Sequence, residues 1–222
     1  MGEVKMRIYW EVLPGGAGEV LELLAGQPWA SDFYLAGGTG LALQLGHRIS
    51  MDLDLSLAVD PLGFGSRSRV VTALESVSRK GRFTVDQEED GTLRVSIHGI
   101  GVALFHYNYL LVGSPVPILG NLKIPSLEDI GLMKVAAIIG RGRKRDFLDL
   151  YFISPRISLE QFLEFGSAKY AQAHDFGVQA LRVLVYFEDA EEEQMPRMLK
   201  EVSWEAVKTH FEQEAIRLSR GW

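Results

Sequence analysis

Residues 51–57 alternate apolar Met51, Leu53, Leu55 and Leu57 with polar Asp52, Asp54 and Ser56. A period of two belongs to a strand with one buried face, so the pattern predicts a strand here with Asp52 and Asp54 side by side on the other face. Upstream, the aromatic and aliphatic run 33–36 reads as a short strand that ends at Gly37-Gly38-Thr39-Gly40. Glycine lets the backbone turn sharply at such a point and approach a ligand closely. Leu41 to Leu45 are good helix formers, and Gly46 is placed to end that helix. The stretch 33–57 therefore predicts strand, glycine turn, short helix, strand.

The same reading extends along the chain. An amphipathic helix is expected over 17–25, with Val20, Leu21, Leu23 and Leu24 as its apolar face and a loop at Pro28-Trp29 after it. Pro61, Gly63 and Gly65 break the chain after the acidic strand, and Val70, Val71, Leu74 and Val77 at helical spacing predict a helix over 67–78. Strands over 83–85, 92–97 and 102–107, separated by Glu89-Asp90-Gly91 and Gly99-Ile100-Gly101, would continue the sheet in antiparallel fashion. After Pro115-Val116-Pro117 and a short segment at 122–124 the pattern turns helical. Ser126 and Asp129 form a capping signature before Ile130, Met133, Val135, Ala136, Ala137 and Ile138, and helices follow over 159–170, 176–187 and 204–220. The expected fold class is α/β (α+β): a mixed sheet flanked by helices over 1–125, then a helical C-terminal region, 126–222, that completes the cleft.

Charge adds chemistry to this frame. Two carboxylates on one strand face repel unless a cation sits between them, and their oxygen-only character suits Mg2+. A glycine-rich turn at a helix N-terminus offers backbone N–H groups to an anion such as a triphosphate. The alternative for the acid pair is an edge strand with a solvated face. Lys134 lies inside a mostly apolar helix; either its stem packs on the core while its head reaches water, or its ammonium serves a triphosphate. Residues 141–151 pack four basic residues and two acids into a turn and a helix, with Asp146 and Asp149 three apart on one face. Asp146 there would also suit the helix dipole. Ser50, two residues before Asp52, is a candidate regulatory position, because nucleotidylation or phosphorylation would set negative charge against the acid pair. His106 stands in an aromatic strand, as a structural group or a catalytic one, and 188–193 reads as an acidic, solvated turn.

With 222 residues, 47% of them hydrophobic, the chain has ample material for a core. No apolar run approaches the roughly 20 residues of a membrane helix, and the start lacks the apolar stretch of a secretory signal. Cysteine is absent, which excludes disulfides and thiolate metal sites and suits a cytoplasmic protein. A net charge of −6 argues against an extended, sequence-independent grip on nucleic acid, though not against a local basic patch.

The stretch AGGTGLALQLGHRISMDLDL resembles the first motif of the DNA polymerase β-type nucleotidyltransferases and, more narrowly, that of the AbiEii/AbiGii abortive-infection toxins, where Gly-Gly-Thr and Gly-His-Arg precede an acidic pair. MKVAAIIGRGRKRDFLDLYFI is similar to the later motifs of those toxins, and LVYFEDAEEEQMPRMLKEVSWEAVKTHF to their C-terminal part, so the resemblance covers nearly the whole chain. It implies a nucleotidyltransferase core that moves a nucleoside monophosphate from an NTP to an acceptor hydroxyl. Asp52 and Asp54 would be catalytic and hold Mg2+; Gly37, Gly38, Thr39 and Arg48 would bind the nucleotide. Lys134 would be the nucleotide-contacting lysine, Asp146 the later catalytic acid and Lys144 a phosphate contact. Asp149 would orient Arg141 or Lys144, or cap the fold. The implied acceptor is RNA, with tRNA 3′ ends foremost, and the implied partner an antitoxin. The wider superfamily often places a third metal-binding carboxylate on a strand like 102–107, and this chain has none there. Asp54 and Asp146 both stand as candidates for the base. Transfer to a small molecule, or a non-catalytic nucleotide-binding module, are the alternative outcomes.

Overall fold

The computed structural model describes residues 7–78, 82–173 and 175–220. The chain divides into two compact units, Met1–Ser126 and Leu127–Trp222. The first is built on a mixed sheet of β1 (Tyr34–Leu35), β2 (Leu53–Leu57), β3 (Phe83–Glu89), β4 (Thr92–Ile97), β5 (Ile100–His106), β6 (Val116–Leu119) and β7 (Leu122–Ile124). The strands lie in the order β3-β4-β5-β2-β1-β7-β6, so the acidic strand β2 is central. It runs antiparallel to β1 and parallel to β5, while β3, β4 and β5 are antiparallel neighbours, as their turn signals predict. Pro117 lies on the edge strand β6, where a missing N–H is tolerated.

Leu53, Leu55 and Leu57 form one core layer with Leu93, Val95 and Ile97 of β4 and Val102 and Leu104 of β5. Helices α1 (Ala17–Ala25) and α3 (Phe64–Val77) contribute Val20, Leu21 and Leu24, and Val70 and Leu74, to the same cluster. Each buried leucine is worth about 1.5–3 kcal/mol. A slip of one residue in β2 would turn Asp54 and Ser56 into that layer, so the core fixes which face the acids occupy.

The strand begins at Leu53 rather than at Met51. The preceding backbone is held elsewhere: Ser50 N–H donates to the Val12 carbonyl at 3.0 Å, and the Asp52 carbonyl accepts from the Thr39 hydroxyl. Helix α2 (Gly37–Leu45) starts four residues earlier than the helix formers alone predict, with Gly40 N–H donating to the Ala36 carbonyl, so the glycines are its first turn. It ends at a left-handed Gly46, as expected.

The second unit is helical: α4 (Leu127–Arg141), α5 (Lys144–Ile153), α6 (Leu159–Lys169), α7 (Phe176–Val183), α8 (Glu188–Glu191) and α9 (Trp204–Ser219). Ser158 and Gln161 close a capping box at the start of α6. Phe147 of α5 packs between Phe187, Trp204 and Phe211 at centroid distances of 5.2, 5.9 and 5.8 Å. Asp129, expected as a capping acid, forms a buried ion pair with Lys169 at 2.6 Å that ties the first turn of α4 to the end of α6. Among the described residues no helix is long and apolar enough to cross a membrane.

Candidate active site

The first unit brings the glycine turn and the acid pair together. Ala36 N–H donates to the Asp54 carbonyl at 2.8 Å as the chain leaves β1, so the first turn of α2 is laid beside the middle of β2. Gly37 has φ +62°, and a Cβ built there would lie 2.7 Å from Asp54 Oδ2. A Cβ on Gly38 would lie 2.1 Å from a terminal nitrogen of Arg48. Real Cβ atoms do not come this close to either group, so the two glycines are what allow a carboxylate and a guanidinium to press against the start of a helix. α2 has no acid in its first turn and no side-chain cap hydrogen bond, which leaves the positive end of its dipole unneutralised by its own residues.

Around this contact the other expected residues take defined places. The Thr39 hydroxyl, expected to reach phosphate, lies 2.8 Å from Ser50 Oγ and donates to the Asp52 carbonyl, which makes Thr39 a positioning residue for the acid pair. Arg48 is buried and donates to the Ile49 carbonyl at 3.1 Å. Ser50 is buried too, so modification at its hydroxyl requires this segment to open. Asp52 is exposed and Asp54 half-buried. The exposed and the half-buried carboxylate form an all-oxygen donor pair beside an anion-attracting helix N-terminus, and Mg2+ takes one or two carboxylates of this kind together with phosphate oxygens. Asp52 and Asp54 are the residues here that could hold such an ion.

The register explains the missing third carboxylate. Asp54 pairs with Ala103 of β5, so the position beside it on the neighbouring strand holds a methyl group. His106 pairs with Leu57 and therefore shares the core face, away from Asp54. Its place beside the acids, open from the sequence, is excluded by this parity.

In the second unit Lys134 neither reaches water nor lies among apolar side chains alone. Its ammonium is 2.9 Å from Asp146 and 2.6 Å from Asp149, both of which are fully buried. Asp149, expected to orient Arg141 or Lys144 or to cap the fold, thus pairs with Lys134. Arg141 is held by Asp146 at 3.0 Å and stays half-exposed, a cation that the sequence reading gave no role of its own. Burial works to raise the Asp146 pKa, but the Lys134 charge and the Arg141 and Lys134 hydrogen bonds outweigh it and hold the carboxyl below its ordinary value. Lys144 is buried, its ammonium donating to the carbonyls of Glu193 at 2.5 Å and Glu191 at 3.4 Å and lying 5.1 Å from the centre of the Trp204 ring. Its own N–H donates to Glu193 Oε2 at 2.9 Å. The acidic run is therefore a dock for the start of α5 as well as a polar surface, and the phosphate contact expected of Lys144 would have to displace these bonds. Nothing local in the sequence could reveal this, because the partners lie far apart along the chain.

Comparison with known proteins adds a family. Residues 20–219 match the family model described as nucleotidyl transferase AbiEii toxin, type IV toxin–antitoxin system. The uncharacterized protein aq_aa25 of Aquifex aeolicus (strain VF5) is 35% identical over 201 residues, covering 88% of this chain and 92% of that protein. The fold is similar to that of MenT4, the nucleotidyltransferase toxin Rv2826c of Mycobacterium tuberculosis H37Rv, with TM-score 0.52, 20% identity and coverage of 90% of this chain and 82% of the other. It is also similar to the antibiotic-resistance factor ANT(2'')-Ia, with TM-score 0.50, 14% identity and coverage of 69% and 90%. At these identities the two structures speak for the fold alone.

Proposed function

The chain belongs to the nucleotidyl transferase AbiEii toxin family, and from that premise we propose that it moves a nucleoside monophosphate from an NTP to a hydroxyl of RNA, a tRNA 3′ end, with release of pyrophosphate. The observation that carries this reading is the approach of Gly37 to Asp54, which sets an anion-binding helix start against a metal-binding carboxylate. The backbone N–H groups at the start of α2 receive the phosphates, and Arg48 supports that turn. Asp52 and Asp54 would hold Mg2+, which would supply charge neutralisation at the phosphates. Thr39 fixes the backbone of Asp52 through its hydroxyl.

Between the two candidate bases the environment favours Asp54. Asp146 is fully buried, bonded to two cations and lowered in pKa, all of which make it a poor proton acceptor. Lys134 and Asp146 act instead as one preorganised pair, and Arg141 is the member of their cluster exposed enough to meet an anion. The protein acts as the toxin of a toxin–antitoxin pair.

The test is a transfer screen of purified protein with Mg2+ and each labelled NTP against tRNA, the protein itself and an aminoglycoside. Label is expected on the tRNA 3′ end; no label on any acceptor sinks the enzymatic reading. A second reading, transfer to a small-molecule hydroxyl, is supported by the acidic net charge of −6. Label on the aminoglycoside and none on tRNA would replace the first reading with it.

A further inference from the structure

Beyond Asp54 the same sheet face continues over β5 and β4 with side chains of a different kind. On β5 the residues facing as Asp54 does are Gly101, Ala103 and Phe105, with Tyr107 next after the strand. Tyr107 N–H donates to the Leu57 carbonyl at 2.8 Å, which keeps the chain after β5 at the end of β2. On β4, Arg94 pairs with Ala103 and Thr92 with Phe105. Arg94, Ala103 and Asp54 thus stand in one row across three strands. The small residue in the middle leaves room between cation and acid.

The exposed Arg94 guanidinium lies over Phe105, 5.1 Å from the ring centre. Tyr107 and Tyr109 are in ring contact at 5.3 Å, and Tyr109 is exposed. Arg94 with Phe105 on the sheet, and Tyr107 with Tyr109 just after β5, therefore set two aromatic contacts next to each other along the chain, one of them carrying a planar cation. Such a strip suits unpaired nucleobases and their phosphates, because every base has a face to stack and an arginine can either stack or bind phosphate.

Its position decides which nucleobases it serves. The glycine turn reaches Asp54 from the β1 side, and β5 flanks Asp54 on the other side. In nucleotidyl transfer the attacking and leaving oxygens lie roughly in line on opposite sides of the phosphorus. If the departing pyrophosphate rests at the start of α2, the attacking hydroxyl comes from the side of Ala103.

We propose that Arg94, Phe105, Tyr107 and Tyr109 form the acceptor platform, which stacks the unpaired end of a single-stranded RNA and directs its terminal hydroxyl to Asp54. This rests on the nucleotidyl-transfer reading above. The strip is local, in keeping with a net charge of −6.

The experiment measures binding of a short 5′-fluorescein single-stranded oligoribonucleotide to the full chain by anisotropy, with a blunt RNA duplex of the same sequence as control. Binding of labelled NTP is measured in parallel by equilibrium dialysis. The single strand is expected to bind more tightly than the duplex. Tyr109→Ala and Arg94→Ala should each weaken it by about tenfold, the size of one lost stacking contact, with NTP affinity within about twofold of wild type. Tyr109→Phe, which keeps the ring, should restore binding. Variants that weaken NTP and spare the oligonucleotide would make the strip the donor base pocket and overturn the proposal. So would a wild type that binds no single strand, or variants that bind it unchanged. If the transfer screen fails while strip-dependent binding persists, the transfer reading falls and the RNA-binding strip stands. Transfer to RNA that the strip variants leave untouched overturns the strip alone.

Discussion

Asp52 and Asp54 in the first unit, and Asp146 and Asp149 in the second, are two pairs of the same residue close in sequence, and the protein treats them in opposite ways. The first pair is left exposed and half-buried beside a helix N-terminus. The second is fully buried and gripped by Lys134, with Arg141 as a further partner of Asp146. A buried carboxylate already matched by cations has little left to offer a metal or a proton. One held at a helix start by missing methyl groups can still exchange partners. The difference separates a pair that can do chemistry from a pair that holds the charges of its own unit in place.

The sharpest way to break this contrast is at its two centres. Asp54→Asn should lower transfer by about 10^3-fold, roughly 4 kcal/mol in barrier, with a change in stability below about 1 kcal/mol. Single-turnover rates beside denaturant melts test this, and an equal loss in both would show that Asp54 is structural. Lys134→Ala should do the reverse in emphasis. Removing the cation leaves two carboxylates buried without it, and stability should fall by about 3–5 kcal/mol. Denaturant unfolding would measure this, and adding Asp149→Asn should recover part of the loss. A Lys134→Ala protein that keeps its stability and loses only transfer would make the ammonium a substrate group first.

Smaller effects sharpen the picture. Gly37→Ala places a Cβ in a left-handed position against Asp54 Oδ2, and should cost about 1–2 kcal/mol from the backbone alone. Since the displaced atom is the proposed metal ligand, transfer should fall by more than stability does, read from the same two assays. The smallest effect is one of pH. The Asp146 carboxyl is held below its ordinary value, so its contribution is fully present above the unfolded-state pKa, about 3.9, and lost as pH falls through the folded value. Unfolding free energies should hold from neutrality down to about pH 4 and then drop, and Asp146→Asn should flatten that acid limb. A limb unchanged in the variant would assign acid lability to other groups.

How far the chain could be read in advance follows the same division. The acid pair and the glycine turn were legible because both are local: an alternation of period two and a run of glycines specify their geometry within a few residues. The antiparallel run of β3 to β5 and the helical C-terminal region also followed from turn signals and periodicity, whereas the mixed character of the sheet was carried by the resemblance. The pairing of β2 with β5 did not, since nothing in either strand states that Ala103 will stand beside Asp54 and His106 behind it. Nor did the partners of Lys134 and Lys144. Whether a lysine in an apolar helix meets water, phosphate or aspartate depends on what is folded over it, as Glu193 over Lys144 shows.

The parallel pairing of β2 and β5 also has a kinetic consequence. β2 is complete by Leu57, but one of its two neighbours does not exist until the chain has formed α3, β3 and β4 and returned through β5. Long-range pairing of this kind is slow, because the entropy of closing the loop is lost before the contacts are made. A chain emerging from the ribosome therefore carries Asp52 and Asp54, the proposed metal ligands, well before it has the sheet that aims them. Competence for transfer arrives only once β5 is seated, so a chain interrupted before Ile100 would be inert.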